Sequence, residues 1–523
     1  MLSTDADPIA RANAARALGA AEGKSALDDL LDAATRDGDE RVRVSAIRSL
    51  ATLNDAKASA RLLDNGESYL QGYRLRAKPS HPLENRSELL EIASALGRIH
   101  QGKPTDRVVK FLRGLRETDR YRSPETEIAM ARVTTVEYPV ATPDFKRILA
   151  ARGPARFLER ANVLRSFIAG YGEAANVTEN ESNKSWRDNS RATLEKLLAN
   201  PTFFDVKVEP KLVAFVLPDV LRAYAGFKPT NLPQVLRASL LHADVFVRST
   251  AADLLADQPA SKESLDALKS AFSKSVVTDS QYNDAQMSIL DAIYKLNKSE
   301  GVGVFLLALD NPDYLVRKKA FQLLADEELR KGFPGIEMSV SEARKKGKQN
   351  VLVGPKYLPT GQGQILNTDV DYRRALSRKN GSVKAILTIE KGAFTIEFFP
   401  EDAPLTVDNF IKLARARYFN GLEVHRVVPN FVMQDGDPRG DGNGGPGWSI
   451  RCEMNMRPYE RGAVGMALSG KDTGGSQWFV THSPQPHLDG GYTVFGRVSE
   501  TDMLVVDKIA RGDRILNVRI VGR

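Results

Sequence analysis

A chain of 523 residues exceeds one ordinary domain and calls for two to four. Its 42% hydrophobic and 27% charged residues are those of a soluble globular protein, and its one cysteine, Cys452, excludes an intramolecular disulfide framework and any cysteine-rich metal site. The net charge of +8 is concentrated: residues 331–382 carry 10 basic and 4 acidic side chains, whereas residues 383–523 carry 17 of each. A short basic linker reads as a solvated segment, so nucleic acid is not the expected partner. No run of about 18 apolar residues occurs, so no membrane span is expected. The first eight residues have neither a basic n-region nor an apolar core. The expected location is therefore cytoplasmic, or periplasmic or exported if a leader precedes Met1.

Residues 1–330 read as helices in a repeat. An Asp is followed by Arg at +4, Ala at +7 and Leu at +11 in Asp7/Arg11/Ala14/Leu18 and again, 32 residues on, in Asp39/Arg43/Ala46/Leu50. The pattern returns in Asp244/Arg248/Ala251/Leu255 and Asp313/Arg317/Ala320/Leu324. Helical spacing puts Ala and Leu on one face, and the small Ala lets helices approach closely. A recurrence of this length signals a helical solenoid, and these residues resemble HEAT or related repeats. The repeat arginines could be read as a phosphate-binding ladder. An Asp and Arg one turn apart supporting their own helix is the preferred reading. Stacked repeats present an extended surface that commonly binds proteins, so a protein partner is expected there.

Between residues 60 and 230 the repeats are degenerate but still amphipathic, as at 89–96 and 192–198. Residues 176–185 are a polar break, expected as a loop. Its Asn-x-Ser/Thr triplets at Asn176, Asn180 and Asn183 are attributed to chance. Residues 331–380 are expected as a basic linker with a short helix at 369–378. From Ser382 the hydrophobic period becomes two, with a turn at Lys391–Gly392, so a β-hairpin is expected. Residues 404–418 and 502–510 read as two helices.

The run 424–437 joins two extended pieces across Pro429 and Asn430. A fold-back there brings Arg426 towards Phe431 and Gln434. Side-chain alternation would put Val432 and Gln434 on one face and Phe431 on the other, unless the bend twists the run. An arginine, an aromatic floor and an amide make a poor nucleophile set and a good set for gripping a peptide.

Residues 425–437 resemble the active-site segment of the cyclophilins, the peptidyl-prolyl cis/trans isomerases. Two further ordered matches, at 465–480 and 488–498, carry the resemblance over about residues 381–523. It implies a mainly-β barrel with two helices there, and with the HEAT-like repeats before it the expected fold is multidomain, an all-α solenoid followed by that barrel. It implies an isomerase that assists protein folding, with proline-containing peptides or unfolded proteins as substrates and no cofactor or metal. Arg426, Phe431 and Gln434 are the implied catalytic residues. Val432, Phe479 and Leu488 would line the proline pocket with Phe431. Gln477 would support the site, 467–469 (Ala467, Leu468 and Ser469) would pair with the peptide main chain, and Gly442 and Asn443 would border a neighbouring pocket. His487 and Tyr492 complete the rim. Val432 replaces a common methionine, Leu468 a frequent asparagine and His487 a tryptophan, while Tyr492 is reminiscent of bacterial members. These changes bear on cyclosporin binding more than on catalysis.

The chemistry follows from the amide. An X-Pro bond has a rotation barrier of roughly 18–20 kcal/mol and isomerises unaided in tens to hundreds of seconds. In the twisted transition state the prolyl nitrogen regains its lone pair, so a fixed donor there lowers the barrier selectively. Other chemistries lack their parts. The glycine-rich run 440–447 is not followed by Gly-Lys-Ser/Thr, His482 and His487 have no ligand cluster in sequence, and no Gly-x-Ser-x-Gly elbow occurs. The alternative is a non-catalytic scaffold that grips extended peptides with the same fold.

Overall fold

The computed structural model describes residues 2, 4–76, 83, 85–134, 143–151, 157–179, 183–199, 202–203, 206–279, 282–349 and 367–522. Inner helices Pro8–Ala20, Glu40–Leu53, Arg86–Ile99, Pro124–Val133, Phe157–Glu173, Pro210–Gly226, Val245–Ala256 and Asp284–Ala308 pack each against the next. Outer helices such as Leu27–Arg36, Asp106–Thr118 and Lys262–Thr278 form the second layer. One continuous apolar core runs between the layers. Small residues set the spacing: a Cβ on Gly19 would stand 2.4 Å from Ser49 Oγ, and one on Gly97 2.7 Å from Ala129 Cα. The helix Asp284–Ala308 is interrupted at Asn297. Among the described residues no helix is long and apolar enough to cross a membrane.

The recurring Asp caps its helix. Asp7 accepts from the Ile9 amide at 2.9 Å, Asp39 from Arg41 at 2.9 Å, Asp244 from Phe246 at 2.9 Å and Asp313 from Leu315 at 2.7 Å. The Arg at +4 does support the repeat, but by a route other than the intrahelical pair expected from spacing. Helical side chains lean towards the N-terminus, so each guanidinium reaches back past the cap. Arg43 donates to Asp37 O at 2.8 Å and to Glu88 of the next repeat at 2.7 Å. Arg248 donates to His242 O at 2.6 Å and pairs with Asp279, and Arg317 donates to Asn311 O at 2.7 Å.

Three local differences from expectation appear. Gly335–Lys345, expected as linker, is a helix that buries Ile336, Val340 and Ala343 in the solenoid core, because its apolar residues fall at helical spacing. Residues 350–366 of that segment lie outside the described residues, and the helix beyond them spans Asp369–Leu376. A small antiparallel ladder, β1 (Thr202–Phe203) with β2 (Val206–Lys207), interrupts the helices.

The C-terminal part is an eight-stranded antiparallel sheet of β3 (Val383–Ile389), β4 (Gly392–Phe398), β5 (Arg426–Val428), β6 (Val432–Asp435), β7 (Ala463–Met466), β8 (Trp478–Thr481), β9 (Val494–Val498) and β10 (Ile515–Gly522). Its order is β10-β3-β4-β9-β7-β8-β6-β5. Residues preceding β5 return to β10: Val424 N donates to Asp513 O at 2.9 Å and Ile515 N to Leu422 O at 2.9 Å, which draws the two ends of the sheet together. Val383, Ala385, Leu387 and Ile389 of β3 point into the core while Lys384 and Thr388 face out. Helices Pro404–Arg415 and Glu500–Val506 pack on the sheet.

The solenoid holds the sheet domain along the N-terminal parts of its inner helices. Arg41 reaches Asp507 at 3.5 Å, Glu125 pairs with Arg511, Asn162 bonds Glu423, and Arg165 lies 3.2 Å from Asp441. Arg439 of the sheet domain inserts between rings, its guanidinium carbon 4.0 Å from the Phe246 centroid and 4.7 Å from that of Phe215, and donates to Phe215 O at 3.2 Å.

Candidate active site

β5 and β6 form a tight hairpin in which Arg426 stands opposite Gln434. Asn430 turns the chain with φ +56°, a left-handed conformation that asparagine tolerates. That turn twists the run enough to put Phe431 in the same apolar cluster as Val432, which the simple alternation would have separated. Arg426 donates to Gln434 Oε1 at 3.0 Å, and its guanidinium carbon lies 5.4 Å from the centre of the Phe431 ring. Arg426 itself is exposed.

A relay of amides extends from this pair. Gln434 donates to Gln477 Oε1 at 3.0 Å, and Gln477 donates to Gly442 O at 2.9 Å and Gly444 O at 2.8 Å. Each amide thus has a fixed rotamer and a defined direction. The loop that supplies those carbonyls is built by Asp437, which accepts from the amides of Arg439 at 2.7 Å, Asp441 at 2.8 Å and Gly442 at 2.5 Å.

Beside the arginine lies an apolar patch. Val432, Phe479 and Leu488 are buried in one cluster with Tyr459, and Phe431, Ala467 and Tyr492 pack against it half-buried. His487 stacks on Phe431 with centroids 5.7 Å apart, and Tyr492 meets Phe479 edge-on at 6.0 Å. The remaining expected residues border a second cavity of about 420 Å³: Gly442, Asn443, Ala467, Leu468 and Ser469, with Gln434 and Gln477 shared between the two. All of the residues singled out in the sequence therefore fall into two adjoining regions. In the run 467–469, Ala467 N already donates to Gln477 O at 3.0 Å and Ser469 N to Thr473 Oγ1 at 2.8 Å. Main-chain pairing with a peptide is left to the carbonyls and to Leu468.

Such an arrangement has a cationic donor held beside an aromatic ring, an apolar patch and an amide relay next to it. A model of the family described as cyclophilin type peptidyl-prolyl cis-trans isomerase matches residues 384–522, and one of HEAT repeats matches residues 1–69. A peptidyl-prolyl cis-trans isomerase of Synechococcus elongatus is 50% identical over 139 residues, which are 26% of this chain and 96% of that protein. The chain belongs to the cyclophilin-type peptidyl-prolyl cis-trans isomerases. The peptidyl-prolyl cis-trans isomerase B of Bacillus subtilis is also 50% identical, over 128 residues covering 24% of this chain and 89% of that protein. An isomerase of Helicobacter pylori is 47% identical over 137 residues, 26% of this chain and 85% of its own length. Residues 384–522 are thus a cyclophilin domain with isomerase activity, carried with helical repeats.

Several residues that shape the cyclophilin site carry no distinguishing signal in the sequence. Tyr459 stacks under Phe479 at 5.5 Å, and a Cβ on Gly465 would stand 2.5 Å from Phe479 Cζ, so only glycine lets that ring settle. Asp437 is visible as part of the motif, but its three amide bonds are not. Nothing in the spacing of Asp253, Tyr282 or Asp284 places them near a site, yet all three line the second cavity with the cyclophilin residues.

Proposed function

We propose that this cyclophilin domain turns over X-Pro bonds through Arg426, with the proline seated on Phe431, Val432, Phe479 and Leu488. The observation that carries the reading is the Arg426–Gln434 bond at 3.0 Å with the guanidinium held beside the Phe431 ring. A guanidinium has five N–H donors, and the bond to Gln434 engages one of them. As the X-Pro bond twists, the prolyl nitrogen becomes pyramidal and accepts a donor from Arg426, while the apolar seat excludes competing water. The donor interacts with that nitrogen far more strongly in the twisted form than in the planar one, so it lowers the barrier and leaves ground-state binding nearly unchanged. Gln434 keeps the arginine aimed, and Gln477 holds Gln434. No bond to carbon, nitrogen or oxygen is broken, so no nucleophile or cofactor enters the cycle.

Substrates in this reading are proline-containing segments of incompletely folded proteins. The repeat region's inner face is already engaged by the chain's own cyclophilin domain, through Arg41, Glu125, Arg165 and Phe215. An external protein partner would therefore use the outer helices.

Arg426→Ala in the full chain tests the assignment. Turnover of a proline tetrapeptide, followed by exchange NMR, should fall on the order of 100-fold or more while circular dichroism is unchanged. Arg426→Lys should recover little, because an ammonium cannot hold Gln434 and reach the substrate with one planar fork. Wild-type turnover in a folded Arg426→Ala protein would remove Arg426 from the mechanism.

A further inference from the structure

The second cavity belongs to both parts of the molecule. One side is Gln434, Gly442, Asn443, Ala467, Leu468, Ser469 and Gln477 of the cyclophilin domain. The facing side is Ser249 and Asp253 of helix Val245–Ala256 and Tyr282, Asp284, Met287 and Ser288 at the start of helix Asp284–Ala308. Gln434 is the residue that holds Arg426, so the cavity begins one side chain away from that arginine.

The wall has one sign of charge. Asp253 and Asp284 are the charged residues among those lining the cavity, and neither forms an ion pair among the described residues. The nearby cations act on them only from a distance, Arg222 on Asp253 and Arg439 on Asp284, and are held by other partners. Arg222 lies 3.6 Å from Asp219 and donates to Thr250, and Arg439 is held by Asp441 at 3.3 Å and by the rings of Phe215 and Phe246. Ser249 and Ser288, bonded to each other at 2.8 Å, leave the wall polar around the two carboxylates. Asp284 is half-buried and Asp253 exposed, so their field reaches the cleft partly screened by solvent.

We propose that the helical repeats supply the second wall of the substrate groove, where Asp253 and Asp284 select proline segments that carry a lysine or arginine close to the isomerised bond. The proposal rests on the seating of substrate beside Gln434 and Arg426 given above. It assigns the repeats a part in substrate choice, through side chains that touch the substrate's flanking residues and leave the X-Pro bond to Arg426.

Turnover by the full chain of five proline peptides, one with Ala on both sides of the X-Pro bond and four with Lys or Glu on one side in turn, tests it. On one side of the proline the Lys peptide should exceed the Glu peptide roughly three- to ten-fold in kcat/KM, the size of a partly exposed ion-pair effect. In Asp253→Asn/Asp284→Asn the ratio should fall to about one, with the Ala peptide unaffected. In the unmodified protein, raising salt should shrink the ratio in the same way, which keeps the test decisive if the double variant fails to fold. A normal rate on the Ala peptide with no charge preference, or an equal preference in the variant, overturns the acidic wall alone. Failure to turn over the Ala peptide at all overturns the seating beneath it as well.

Discussion

At the scale of single residues, burial sets the pH response of the cyclophilin domain. Asp435 follows Gln434 in β6 and is fully buried, and burial pushes its carboxyl up to about 8 from an ordinary value of 3.8. The native state therefore holds a proton there that the unfolded chain has released, and the associated stability is lost as pH rises from about 4 towards 8. His482 acts in the opposite sense. Burial pushes it down to about 4, so the unfolded chain binds a proton first and stability is lost as pH falls below 6.5. Asp435→Asn keeps the shape and removes the titration. Urea melts should then show a smaller decline than wild type between pH 6.5 and 8, with a gain at pH 8 on the order of 1.4 kcal/mol, the free energy of a tenfold change in proton affinity. Glu40 of the repeats, also pushed up to about 8 by burial, keeps its own share of the decline. An identical alkaline decline in wild type and variant would mean that Asp435 is ionised in the folded protein.

At the scale of elements, the loop after β6 joins catalysis to the repeats. Asp437 folds it, Gly442 and Gly444 offer their carbonyls to Gln477, and Gln477 orients Gln434. From outside, Arg165 of helix Phe157–Glu173 bonds Arg439 O and lies 3.2 Å from Asp441, while its own carbon sits 4.6 Å from the Phe215 ring. Arg165 is a positioning residue: it touches the loop and lies one step from the relay. Arg165→Ala should raise KM a few-fold with kcat nearly unchanged, because the donor Arg426 survives and the groove loosens. Amide exchange at residues 440–444 should accelerate in the same variant, a local signature that a global loss of stability would not confine to this loop. Unchanged exchange and KM would show that the loop holds its shape without the repeats.

At the scale of the whole molecule, docking of the two parts depends on close backbone approach. Gly512 has φ +86°, and a Cβ there would stand 2.9 Å from both terminal nitrogens of Arg86. Arg86 has no room to yield: it is buried, with Asp119 at 2.7 Å and Ser123 at 2.9 Å. Gly512→Val thus adds left-handed strain to a clash, at a cost of about 1–3 kcal/mol each. Small-angle scattering should show a larger radius of gyration for this variant. Turnover of a neutral proline peptide should persist, while the preference for lysine-flanked substrates declines. A compact variant with its preference intact would mean that this contact does not hold the domain in place.

What could be read from the residues alone is what is local. Ala and Leu at +7 and +11 announce the buried face, because that depends only on helix geometry, whereas the Asp, read from spacing as the partner of the Arg at +4, is a helix cap in the structure. Arg426 and Gln434 are eight residues apart across a Pro-Asn bend, so the hairpin that joins them is encoded within one short run. The segment 335–345 misled through its charge: its basic residues suggested linker, while Ile336, Val340 and Ala343 carried the helix that the core accepted. The repeat arginines likewise had their supporting role visible and their partners hidden, since Asp37, Glu88 and Asp279 belong to neighbouring turns of the solenoid. Only the tertiary structure decided that the solenoid's inner face would hold the barrel and that Asp253 and Asp284 would stand across a groove from Gln434. No periodicity or spacing encodes that meeting, because it depends on how two separately formed surfaces fit, through contacts between residues far apart in the chain.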